Sequence, residues 1–137
     1  RLNRIIMRAS ELIVPNIGIN VASDGNISYS DLIIDNKKKY ETRNTNSLKP
    51  YIGKRVSIVR TGQGKAVAIG SVIIGEPIEV DEHNFRKYEK DHLVPAGSKF
   101  DIVSGGTKFL YPMREPQRYN TPKDVAGRGI ISRKLKV

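Results

Sequence analysis

The sequence predicts a small α+β domain, mainly β, with two or three short helices flanking the strands. Three observations carry that prediction. Residues Arg55 to Arg60 alternate, with Val56 and Ile58 on one face and Arg55 and Ser57 on the other, the period-2 pattern of a half-buried strand. Lys65 to Ile74 is nearly continuous in small and β-branched apolar residues, and Gly62-Gln63-Gly64 turns the chain between the two runs, so they pair as a hairpin. Helical spacing is confined to two short stretches, one around Leu32 and one around Phe85.

Taken in chain order, residues 1–26 form an N-terminal extension or a first strand and loop, and residues 27–137 the main domain. Leu12-Ile13-Val14 reads as a short strand. Pro15, Gly18 and Gly25 punctuate an irregular connection from Asn16 to Asn26. Tyr29, Leu32 and Ile33 fall at i, i+3 and i+4, and Ser28 or Ser30 can cap the short amphipathic helix they define. Lys39 to Arg43 is extended, ended by the turn residues Asn44 to Pro50. Gly70, inside the second hairpin strand, marks a bulge or a tight bend. Asp81 caps a helix running through His92, with Phe85, Tyr88 and His92 on one face, and Pro95-Ala96-Gly97 stops it. Thr107 to Tyr111 and Gly129 to Lys134 read as strands, separated by a proline-rich link at Pro112 to Pro116 and a polar loop to Asp124.

A chain of 137 residues can bury a core without disulfides or metals, and 38% hydrophobic content is globular in character. The longest apolar runs fall far short of the roughly 20 residues a bilayer span needs, so no membrane partner is expected. The basic start Arg1 to Arg8 does not develop a signal-like apolar stretch, and with no cysteine present the expected location is cytoplasmic. The net charge of +10 makes nucleic acid the first partner to consider, against the alternative that basicity serves solubility alone.

Familiar catalytic and cofactor motifs fail on inspection. Gly62-Gln63-Gly64-Lys65 lacks the phosphate-loop pattern, with Val59 and Ala66 at the decisive positions. Gly127-Arg128-Gly129 lacks a third glycine and precedes a strand instead of a helix. His83 and His92 fall on opposite faces of one helix, so no metal site and no cofactor is expected. Gly70-Ser71 is followed by Val72-Ile73, which is no nucleophile elbow.

Lys37 to Arg43 differs in kind. Along a strand, Lys39, Glu41 and Arg43 would point one way and Lys38, Tyr40 and Thr42 the other, and spacing leaves open which set faces a cleft. A carboxylate flanked by cations stays ionised and holds a lysine and an arginine in defined positions, ready to donate to a phosphate or a base edge. The alternative is a solvated edge strand protected by lysines.

The short helix, then Asn36-Lys37-Lys38-Lys39-Tyr40-Glu41-Thr42-Arg43, then Ile52-Gly53-Lys54-Arg55-Val56-Ser57-Ile58 and Ala68-Ile69-Gly70-Ser71-Val72, resembles the ASCH domain of the PUA-like superfamily. That family opens with a helix ending in Gly-x-Lys and then x-x-Glu-x-Arg, and Lys38, Glu41 and Arg43 fall on its Lys, Glu and Arg. Tyr111-Pro112 and Pro122 to Gly127 are similar to its closing pattern. Asn36 stands where the family commonly has glycine, and residues 1–26 lack its usual entry to the helix.

The resemblance implies a small PUA-like β-barrel with two or three flanking helices and a cleft for RNA or a nucleotide-like ligand. Lys38, Glu41, Arg43, Tyr40, Lys54 and Arg55 are the expected ligand-binding residues, and Tyr40, Tyr51 and Tyr119 offer stacking surfaces. One branch of the family is an amidohydrolase of acetylated cytidine, using a lysine, a threonine nucleophile and a downstream glutamate. Lys38 matches the lysine, Glu41 occupies the threonine position, and the downstream acid falls near Glu89 or Asp91. Because glutamate is no hydroxyl nucleophile, that chemistry does not transfer unchanged. An enzyme would use Lys38, Glu41 and Asp91, as an amidohydrolase or a ribonuclease. The leading expectation is a nucleic-acid-binding module, RNA favoured. An adaptor for an acidic protein is a third reading, and the oligomeric state stays open.

Overall fold

The computed structural model describes residues 14–136. Its strands are β1 (Ile17–Val21), β2 (Ser23–Asp24), β3 (Ile27–Ser28), β4 (Tyr40–Arg43), β5 (Arg55–Arg60), β6 (Val67–Ile74), β7 (Ile78–Val80), β8 (Lys108–Asp124) and β9 (Ser132–Lys134). The helices are α1 (Tyr29–Ile34), α2 (Glu82–Lys87) and α3 (Glu89–His92), with one 3-10 turn at Lys49–Tyr51. The fold is mainly β, as the sequence predicts. A curled half-barrel sheet runs β4-β8-β6-β5-β1-β9, with β7 also on β8, and β2 and β3 form a separate small hairpin.

The β5–β6 hairpin is the middle of the sheet, and Gly62 and Gly64 turn it with positive φ angles of 83° and 75°. Val56 and Ile58 of β5 meet Ile69, Val72 and Ile74 of β6 in the main core, which α1 covers with Tyr29, Ile33 and Ile34. The bulge foreseen at Gly70 is present: pairing slips between Ile58 and Val59, leaving Ile69 unpaired on the β6 side. A methyl group on Gly70 would sit 2.3 Å from the Gln117 carbonyl and 2.8 Å from Ile34 Cδ1, so glycine is what lets helix and neighbouring strand approach.

Four expectations need correcting. Asn16 to Asn26 is no irregular connection, since it holds β1, parallel to β5 and antiparallel to β9. Ile17, Ile19 and Val21 do alternate there, but Gly18 and Asn20 mask the period, and the buried position between two strands overrides their weak propensity. The expected strand at Leu12-Ile13-Val14 lies outside the described residues except for Val14, which is in no strand.

Pro112 to Asp124, read as link and loop, continues the 17-residue strand β8. Its prolines fall where no ladder donor is needed. Pairing with β6 jumps from Ile73↔Arg114 to Ser71↔Gln117, and from Gly70↔Arg118 to Ala68↔Lys123, so Pro116 and Pro122 sit in the bulges. Glu115, with φ 49°, makes the first of these kinks.

The expected helix from Asp81 to His92 breaks at Tyr88, which leaves the helix to pack edge-on against Tyr40 at 5.6 Å. Its start is as expected, with the Asp81 carboxylate accepting from Asn84 N at 2.9 Å. The last strand is shorter than Gly129 to Lys134, because Gly127 to Ile131 forms a loop.

Candidate functional site

The residue before β4 explains how the site is built. After α1, Asn36 adopts a left-handed conformation at φ 62°, a geometry asparagine tolerates better than other side chains after glycine. Lys37 N and Lys38 N then both donate to the Leu32 carbonyl at 2.9 Å. This places Lys38 under the helix instead of in the ladder, which begins only at Tyr40. Strand alternation therefore does not govern Lys38, and it joins Glu41 and Arg43 on one side.

These three side chains share a cleft of about 280 Å³ with Tyr29, Lys108, Asn20, Thr61, Val94, Phe100 and Ile130 among its lining residues. Lys38 is 1% exposed, its ammonium donating to the His92 carbonyl at 2.5 Å and lying 4.7 Å from the Tyr29 ring centroid. Burial pulls its pKa down to about 8, the Glu41 carboxylate opposing that and the cations Arg43 and Lys108 reinforcing it. Glu41 accepts from Arg43 Nη2 at 2.9 Å and from Thr42 N at 3.2 Å. The same Arg43 nitrogen donates to the Asn20 carbonyl at 2.7 Å.

Lys108, the first residue of β8, is also buried, and burial lowers its pKa against the pull of Glu41 and Asp101. Two buried polar atoms of the lining have no hydrogen-bond partner among the described residues: Tyr29 Oη and Arg43 Nε. Burial, with the charges of Asp24 and Glu41, raises the Tyr29 phenol, keeping it a protonated donor. The cleft thus presents several donors and one carboxylate.

Asn20 organises its rim. The Asn20 amide donates to the carbonyls of Gly129 at 2.7 Å and Ile130 at 3.3 Å, and its Oδ1 accepts from Arg133 Nε at 3.0 Å. The loop so held carries Ile130, 97% exposed at the cleft mouth.

The structure brings together Lys38, Glu41 and Arg43 and leaves the other expected residues outside the lining. Tyr40 packs on Tyr88 behind β4. Asp91 is in α3, where its carbonyl accepts from Lys39 N at 2.7 Å. Lys54 is exposed, and Arg55 is bound to Ser71 Oγ and the Glu115 carbonyl at 3.0 Å each. Tyr51 and Tyr119 spend their hydroxyls on Ser132 and Ser57. His92 is neutral: burial holds it down to about 4, with Nδ1 accepting from Val94 N and Nε2 facing the Phe85 carbonyl.

Sequence reasoning did not single out Lys108, Asn20 or Phe100. A signal existed for the first, a lysine on the same strand parity as the fully buried Leu110. Among the described residues, no three His, Cys, Asp or Glu side chains cluster as a metal site would require, and no helix is long and apolar enough to cross a membrane.

No family model matches the chain, and no curated protein does. Solved structures do. ASCH from Zymomonas mobilis superposes with a TM-score of 0.59 at 16% identity, over 74% of this chain and 69% of that one. A tyrosine-to-phenylalanine variant of that protein matches with a TM-score of 0.56 at 17% identity, over 77% and 73% of the two chains. A serine-to-alanine variant gives 0.57 at 17% identity, over 80% and 75%. The chain therefore has an ASCH-like fold.

Proposed function

We propose that this domain binds nucleic acid, RNA in preference to DNA, by drawing one nucleotide unit into the cleft between α1, β4 and β8. The observation that carries the reading is the convergence of Lys38, Arg43 and Lys108 around the single carboxylate of Glu41. Cations taken out of water are costly unless a ligand or a partner compensates them, and a nucleotide supplies both anionic oxygens and base-edge acceptors. Glu41 offers the complementary acceptor for a base amino group. At about 280 Å³ the space suits a single small ligand group and excludes a duplex. The preference for RNA rests on the family resemblance.

Fluorescence anisotropy with a short single-stranded RNA tests this. Lys38→Ala and Arg43→Gln should each weaken binding about tenfold or more, while Lys54→Ala and Arg55→Ala, outside the cleft, should change it by less than about threefold. Far-UV spectra check that each variant is folded. Equal affinities across all four would refute the reading.

A second reading, hydrolysis of an acylated nucleoside, draws on Lys38 alone. An amine with a pKa near 8, beside Glu41, can exchange protons near neutrality. Asp91, outside the cleft, is poorly placed to share that work. Release of acetate from acetylcytidine, abolished in Lys38→Met, is the expected outcome on this reading, and a lack of turnover at high enzyme concentration leaves binding as the function.

A further inference from the structure

The cleft has more cationic than anionic charge to offer, and the excess defines what fits it. Three cations, Lys38, Arg43 and Lys108, face one carboxylate, Glu41, a formal excess of two positive charges among the lining residues. Neither lysine has a carboxylate within ion-pair distance among the described residues. The other acids nearby, Asp101 and Asp24, lie outside the lining. Asp101 is ion-paired with Arg86 and accepts from Gly97 N, and Asp24 accepts from Lys99 N at 3.3 Å. Arg43 Nε and Tyr29 Oη, both buried, have no partner among the described residues.

An internal phosphodiester answers this poorly. It carries one negative charge and needs chain entering and leaving on both sides. A terminal phosphate monoester carries about −1.5 to −2 at neutral pH, presents three acceptor oxygens and needs a single entry. From the charge excess, the unpartnered donors and the burial of both lysines, we infer that the cleft receives the terminal phosphate monoester of a nucleic-acid strand.

This builds on the nucleic-acid reading of the cleft and narrows it to strand ends. Lys38 and Lys108 would neutralise the phosphate from the floor, and Arg43 Nε and Tyr29 Oη would donate from the sides. Glu41 would keep Arg43 in place and leave the adjoining sugar or base one acceptor. Ile130, at the mouth, would meet the first base beyond the phosphate.

The test compares one short single-stranded RNA in three forms, with a 5′-phosphate, with a 3′-phosphate and with hydroxyls at both ends. A hydroxyl-ended RNA lengthened by two nucleotides matches the added charge. Titration calorimetry on the unmodified protein should show one phosphorylated form binding about tenfold or more tighter than both hydroxyl-ended forms. Lys108→Gln, whatever it takes from RNA affinity in general, should erase that preference, weakening the phosphorylated form about tenfold or more beyond the loss seen for the hydroxyl-ended forms. Thermal unfolding confirms that the variant is folded. Equal binding of the phosphorylated and the lengthened hydroxyl-ended RNA overturns the inference and leaves the nucleic-acid reading standing. Absence of binding to any of the RNAs overturns both.

Discussion

Burial of ionisable groups gives single residues of this domain measurable signatures. Lys38 is the clearest: with a folded pKa of about 8 against the ordinary 10.5, it is charged in both states below pH 8. Between pH 8 and 10.5 only the unfolded chain holds the proton, so stability should rise with pH there. Lys108, shifted the same way, adds to the rise. On the acid side, His92 is depressed to about 4 from 6.5, so the folded form should lose stability as pH falls through that window. Urea midpoints from pH 4 to 10 check both limbs, and Lys38→Met should flatten most of the alkaline one. Anion affinity should run the opposite way to stability, falling above pH 8 as the Lys38 ammonium is lost.

At the same scale, Lys38, Glu41 and Arg43 were legible in the sequence because their spacing follows a family pattern. Their common direction was not, because it depends on the left-handed turn at Asn36 and on Lys38 lying outside the ladder. Arg55 belongs to the same pattern, yet it opens β5 and bonds Ser71 and Glu115 away from the cleft, while Lys54, just before the strand, is exposed outside the lining.

Elements were legible where local pattern and tertiary role agree. The β5–β6 hairpin, the Ser28 cap of α1 and the Asp81 cap of α2 belong to this class. They were illegible where long-range pairing overrides local chemistry, as in β1 with its glycine and asparagine and in β8 with its three prolines. Gly70 binds two of these elements together. Gly70→Ala would force its methyl into the Gln117 carbonyl of β8 and against Ile34 of α1. Overpacking of this kind costs about 1–3 kcal/mol, and backbone contact belongs at the upper end. A matching drop in unfolding free energy, measured in urea, is the expected outcome, and since α1 positions Tyr29 and Lys38, RNA affinity should fall with it.

For the whole molecule, the charge of +10 acts before any contact forms. Only part of it lies in the cleft; Lys37, Lys39, Lys54 and Lys136 are exposed around the surface. Such distributed charge accelerates encounter more than it holds a bound ligand. Stopped-flow mixing with RNA should therefore show an association rate that falls steeply between about 50 and 200 mM salt, with the dissociation rate changing much less. An equally steep response of dissociation would place the peripheral lysines in the complex itself.

The position of β1 has a kinetic consequence. The strand nearest the start of the described chain lies inside the sheet, parallel to β5 on one side and closed on the other by β9, where Ile17 meets Lys134. On the ribosome, this pairing cannot be made until β9 has emerged, so the nascent chain must keep that flank of β1 open until then. Such high contact order belongs to slow folders, in milliseconds to seconds. Asn20, which ties β1 to the loop before β9 and to Arg43, makes the cleft a late feature of this domain to assemble.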